Sequence, residues 1–191
     1  MKKIKLDNKV VVSDPCYSIP QNGQIIVDDV LPGYYQPSIC RIDLDGWGNR
    51  ISGLSCVHED YMGKEDELKL SWVEHSGVIG VDSGQAGIFS MESYRNDEMV
   101  GEEPVFDFGI SFDMTETGDV WYRMCAYKTL SEKSWGVYDE GVVSSSGIGD
   151  GSYDLYVLRN NEDKVVGFCI DFLLDENFDL TFYMDPNLCE A

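Results

Sequence analysis

Fourteen lysines and arginines and two histidines are the whole cationic complement of this 191-residue chain, against thirty-five aspartates and glutamates. A net charge of −21 repels a polyanion rather than steering it in, so direct nucleic-acid binding through phosphates is not expected. His58 and His75 are the only imidazole bases, and neither lies inside a catalytic signature. The six cysteines (Cys16, Cys40, Cys56, Cys125, Cys169 and Cys189) include no two within five residues of each other. That lacks the close ligand pairs of a zinc ribbon or finger, and no metal or other cofactor is expected. No apolar run approaches the ~20 residues of a membrane-crossing helix. The basic start, Met1-Lys2-Lys3, is followed only by Val10 to Val12 as an apolar run, too short for a secretory signal. These absences point to a cytoplasmic protein whose cysteines are small buried apolar residues in a reducing compartment.

What the chain does have is 43% hydrophobic residues, nineteen glycines and eleven tyrosines. That is enough apolar mass for one folded domain spanning 1–191, and it leans towards short strands and turns. Strands are predicted over Lys5 to Ser13, Gln24 to Val30, Ser38 to Leu44, Leu68 to Val73 and from Ser76 to Asp82. Further strands are predicted at Val142 to Ser144, Tyr153 to Arg159, Lys164 to Leu173 and Leu180 to Met184. Asn22-Gly23 and Asn160 to Asp163 read as turns. Phe106 to Phe112 alternates irregularly around Gly109. Ile88 to Asn96 reads as the start of a short helix, and the first half of Trp121 to Leu130 has helical spacing at Trp121, Met124, Cys125 and Lys128. The expected fold is mainly β: a single antiparallel β-sandwich or barrel-like domain with one or two short helices.

The densest local signal is Ser144 to Ser152, where three glycines, four serines and one aspartate fill eight of nine positions. Glycine permits positive φ and close backbone approach, and serine and aspartate hydrogen-bond nearby amides. Ser76 to Phe89 repeats the plan of a strand followed by a glycine-rich loop. If the two loops converge, they form a pocket rim, and the candidate ligand-binding residues are Asp14, Cys16, Asp82, Ser83, Ser145, Ser146, Asp150, Ser152 and Tyr153. Tyr17, Trp47, Trp135 and Tyr153 offer flat surfaces for a base or sugar. The competing reading is that each aspartate caps its own turn and each aromatic packs in the core.

Val81-Asp-Ser-Gly84, Ser145-Ser-Gly-Ile-Gly-Asp-Gly-Ser-Tyr153 and a strand ending Cys169-Ile-Asp-Phe172 together resemble the bacterial domain-of-unknown-function family numbered 4241. The N-terminal motif Ser13-Asp-Pro-Cys-Tyr17 resembles that of small hypothetical proteins found in phages and mobile elements. The resemblance implies a mostly β fold in a bacterial or phage-infected cytoplasm and assigns no activity. Ile148 stands where that family often has an aromatic before Gly-Asp-Gly.

Two function classes follow. The first is non-enzymatic binding of a small polar ligand at the glycine/serine loops, or of a basic host protein on an acidic surface. Acids concentrate in Glu92–Asp119 (nine acids against Arg95) and Asp171–Glu190 (six acids, no base). The second is a hydrolase using the Asp82/Asp150 carboxylates as acid and base, or Cys16 as nucleophile. Ser145 lacks a nucleophile elbow. Asp150 to Asp154 and Asp43 to Gly46 lack the oxygen spacing of a calcium loop. Binding is the more natural expectation, with the oligomeric state left open.

Overall fold

The computed structural model describes residues 2–64, 68, 70–100 and 116–173. In chain order these form β1 (Ile4–Leu6), β2 (Val10–Ser13), β3 (Ile25–Val27), β4 (Gly33–Asp43), β5 (Asn49–His58), β6 (Trp72–Val81) and β7 (Gln85–Ser90). Then follow the helix α1 (Asp119–Thr129), β8 (Trp135–Val137), β9 (Gly141–Ser145), β10 (Gly151–Arg159) and β11 (Val165–Asp171). One sheet has six strands in the order β1-β4-β5-β11-β10-β6, and the other has five, β3-β2-β7-β9-β8. Neighbouring strands pair antiparallel, and the two sheets pack as a sandwich without closing into a barrel. Among the described residues no helix is long and apolar enough to cross a membrane.

Side-chain alternation decides which residues meet between the sheets. Tyr153, Leu155 and Val157 of β10 enter the inter-sheet core with Ile39, Leu54, Ile79, Ile88 and Phe168. Each such buried side chain contributes about 1.5–3 kcal/mol from lost contact with water. The Val10-Val11-Val12 run is apolar at every position because β2 is covered on both faces. Val10 and Val12 join the inter-sheet core, while Val11 lies under α1. On that outer face Trp121 and Cys125, one turn apart, pack with Phe89, Tyr94 and Val143. Gly118, at φ 91°, gives the helix no side-chain cap. The Asp97 carboxylate substitutes for one, accepting from Gly118 N at 2.8 Å and Trp121 N at 2.9 Å.

Phe89 lies against two glycines. A Cβ at Gly87 would fall 2.2 Å from Phe89 Cζ, and one at Gly141 would fall 2.6 Å from Phe89 Cδ1. The two glycines therefore form a trough on adjacent strands. From it the Phe89 ring meets Trp121 edge-on, with centroids 4.9 Å apart.

Several local expectations are corrected. Lys5 to Ser13 is two strands in different sheets, because the chain turns at Asp7, whose amide and carboxylate both bond the Ser90 hydroxyl. Asn49–His58 is a central strand that composition did not suggest. The predicted helical start from Ile88 is the end of β7 followed by turns. Phe106 to Phe112 and Leu180 to Met184 lie outside the described residues, as do Glu102, Glu103, Asp107, Asp113 and the acids from Asp175 onward.

Candidate functional site

Both glycine-rich loops carry the chain from one sheet to the other. Asp82-Ser83-Gly84 takes it from β6 to β7, and 146–150 returns it from β9 to β10. Because β7 pairs with β9 (Gln85↔Ser145) and β6 with β10 (Val81↔Gly151), the two bends lie side by side. Gly84 N donates to Asp150 Oδ1 at 3.0 Å, and Ser146 N donates to the Gly84 carbonyl at 3.1 Å. The two loops therefore meet, which is the condition a shared rim requires.

A third segment joins them. Asp14, fully buried at the end of β2, accepts from Cys16 N (2.8 Å) and Ser83 Oγ (2.7 Å) on one oxygen. Its other oxygen accepts from Asp82 N (2.9 Å) and Ser83 N (2.7 Å). Tyr17 Oη donates to Asp82 Oδ2 at 2.7 Å. The Tyr153 hydroxyl lies 2.6 Å from the Gly149 carbonyl and 3.1 Å from that of Ser146, and Ser146 Oγ donates to Gly149 O at 2.9 Å. Gly147 and Gly149 take φ of 51° and 116°, a region that favours glycine.

The nine candidate residues thus share one end of the sandwich in different roles. Asp14, Ser146 and Tyr153 are buried supports; Cys16, Ser83 and Ser145 are half-buried; Asp82, Asp150 and Ser152 are exposed. Ser152 pairs with Gly80, and Ser145 N donates to the Ser134 carbonyl.

Cys16 is a poor nucleophile in this setting. Burial first, then the nearby Asp14 and Asp82 carboxylates, push its thiol up to about 12. His58 is packed edge-on against Tyr35 and Tyr61, and His75 is half-buried with Nδ1 2.8 Å from the Ser76 carbonyl. His58 stands at the end of β5 away from the bends. At pH 8 the protein should therefore hold about a thousandfold less Cys16 thiolate than a free cysteine with pKa near ~8.5. Iodoacetamide labelling followed by peptide mass analysis checks this, and labelling of Cys16 at the free-cysteine rate would contradict it. Cys40, Cys56, Cys125 and Cys169 are buried.

Sequence reading missed the clamp on the Asp14 turn. The Tyr94 hydroxyl lies 2.7 Å from the Tyr17 carbonyl and 3.0 Å from that of Asp14. Arg95 Nη1 donates to the carbonyls of Pro15 (3.1 Å) and Cys16 (3.2 Å). The available signal was the single base in the acidic stretch Glu92–Asp119.

Of the aromatics considered for stacking, Tyr17 and Tyr153 are buried and Trp135 is half-buried. Trp47 is 64% exposed at the tip of the β4–β5 hairpin. Strand register puts this tip at the same end as the bends, since Gly53 of β5 lies opposite Asp171 of β11, Asp154 of β10 and Val78 of β6. The tip is pinned by Trp47 N to the Leu44 carbonyl, Gly48 N to the Asp45 carbonyl and Arg50 Nε to the Trp47 carbonyl. On the bends Ile148 is 57% exposed. One end of the molecule thus presents Trp47 and Ile148 together with the exposed carboxylates of Asp43, Asp45, Asp82 and Asp150.

Among the described residues no three His, Cys, Asp or Glu side chains gather as a metal site. No protein-family model, curated protein or solved structure matches the chain.

Proposed function

We propose that the chain is a non-enzymatic binding protein that docks a basic partner protein on the end of the sandwich formed by the β4–β5 tip and the two sheet-crossing bends. The observation that carries this reading is the pairing of two projecting apolar side chains, Trp47 and Ile148, with four exposed carboxylates on hydrogen-bonded backbone. Exposed tryptophan is the residue type most enriched in binding hot spots. Backbone already fixed in place loses little conformational freedom on binding. The surrounding acids and the net charge of −21 favour a cationic counterpart and hasten its approach. Asp14, Tyr94 and Arg95 act as supports that hold the bends in position, without touching the partner.

Affinity capture from bacterial lysate tests the reading, comparing the wild type with Trp47→Ser/Ile148→Ser. The wild type should retain a basic protein at about 50 mM salt and release much of it near ~300 mM as the charges are screened. The double variant should retain at least about tenfold less at an unchanged melting temperature, since two exposed anchors are lost. Capture that is absent, or equal in the two proteins, would remove the proposal.

A further inference from the structure

Of the eight asparagines in the chain, only Asn22 precedes a glycine. The Asn22-Gly23 pair turns the chain into β3, with Gly23 at φ 86°. Asn22 is exposed. Among the described residues neither its side-chain amide nor the Gly23 N–H is engaged in a hydrogen bond. The residues around the pair are held instead. Gln21 N donates to Gln24 Oε1 at 2.8 Å, and Gln24 Nε2 donates to Ser13 Oγ at 3.1 Å and Tyr94 Oη at 3.2 Å. The Gly23 carbonyl accepts from Gly80 N of β6 at 2.9 Å. A nitrogen and an amide carbon one residue apart are thus left free in a turn that is fixed on either side, and Gly23 has no side chain to stand between them.

From this arrangement we infer that Asn22-Gly23 is a self-modifying site, at which the folded chain converts Asn22 to isoaspartate. The Gly23 nitrogen, on losing its proton, attacks Asn22 Cγ. The N–Cγ bond forms, the Cγ–Nδ2 bond breaks and ammonia leaves. Water then opens the cyclic imide. Addition at Cγ breaks the new bond and gives aspartate. Addition at the main-chain carbonyl carbon of residue 22 breaks the peptide bond instead, and the backbone then runs through Cβ and Cγ as isoaspartate. Water is the only reagent consumed. The inserted backbone atom has no room here, because Gly23 is wedged against β6. A Cβ at Gly23 would lie 3.0 Å from both Cα and N of Gly80, and 3.8 Å from the Tyr17 ring. Lengthening the chain at this point pulls the Gly23 carbonyl off Gly80 N or displaces the end of β6. Tyr17 shares the contact and donates to Asp82 Oδ2, so the change reaches the sheet-crossing bends.

Ageing the full chain in warm, mildly alkaline buffer, folded and in urea, tests this. The tryptic peptide 10–41 reports on the site, since Asn22 is its sole asparagine. In the folded protein it should gain the mass of an acid in place of an amide no more than about tenfold more slowly than in urea, as an exposed turn gives little protection. An isoaspartate-specific methyltransferase should label the product, and Asn22→Ser should stay unlabelled in that peptide. Aged wild type should melt roughly 2–6 °C below fresh protein, from the loss of one backbone hydrogen bond and its contact. Asn22→Asp carries the same charge on an unlengthened backbone and should melt like fresh wild type. Folded protein that keeps Asn22 while the chain in urea converts would overturn the site. Isoaspartyl protein that melts like Asn22→Asp would overturn the coupling to β6. Neither readout involves Trp47 or Ile148, so the docking proposal stands or falls separately.

Discussion

Asp14→Ala should lower stability by about 4 kcal/mol and the melting temperature by roughly 8–16 °C, the largest effect expected of any site residue. The native carboxylate is buried and receives four hydrogen bonds, three from backbone amides. Bonds to a charged acceptor are worth more than neutral ones, and donors left without an acceptor keep their desolvation cost. Asp14→Asn sharpens the test because it preserves size. Whichever way the amide is turned, its NH₂ faces at least one backbone N–H, from Cys16 or from Asp82 and Ser83. Asparagine should therefore recover little. Thermal unfolding followed by circular dichroism measures both variants, and recovery to within about 1 kcal/mol of wild type would show that the carboxylate is not the keystone.

Gly87→Ala should cost about 3 kcal/mol although it adds a single methyl group. The new Cβ would lie 2.2 Å from Phe89 Cζ and 2.5 Å from the Val142 carbonyl oxygen, so the ring must leave its trough and the β7–β9 pair must shift. Gly46→Ala provides the contrast, since nothing lies within 4 Å of its Cβ position. In a Phe89→Leu background part of the Gly87→Ala penalty should vanish, because the ring is one of the two obstacles. The carbonyl remains the other. Denaturant unfolding of the four proteins in this cycle reads the coupling, and strict additivity would mean that ring and glycine do not oppose each other.

The sequence made the strand-rich sandwich legible wherever one residue's neighbours were enough to interpret it. The alternation in Tyr153 to Leu158 and the spacing of Trp121 and Cys125 each named the face that is buried. Asn49–His58 was illegible because Ser52, Gly53 and Ser55 look like surface residues. They are buried in mid-sheet, and the Ser55 hydroxyl bonds Ser38 Oγ, 2.8 Å away on β4. The site divides along the same line. The bond from Cys16 N to Asp14 is a local turn that Asp-Pro-Cys announces. The donors from Asp82 and Ser83 come from 68 and 69 residues away, and Gly84 reaches Asp150 across 66. A reading confined to one turn at a time assigns each aspartate to its own loop and misses the seam that joins them.

That seam constrains how the chain is made. A nascent polypeptide leaves the ribosome from its amino end, and the Asp14 turn, the β6–β7 bend and residue 150 emerge far apart in time. Contacts so distant along the chain form slowly, and domains dominated by them fold in milliseconds to seconds. Until then the Val10–Val12 strand has lost neither face to solvent-free packing and is a ready partner for another unfinished copy. A net charge of −21 would oppose such pairing in that interval, since like-charged chains repel one another.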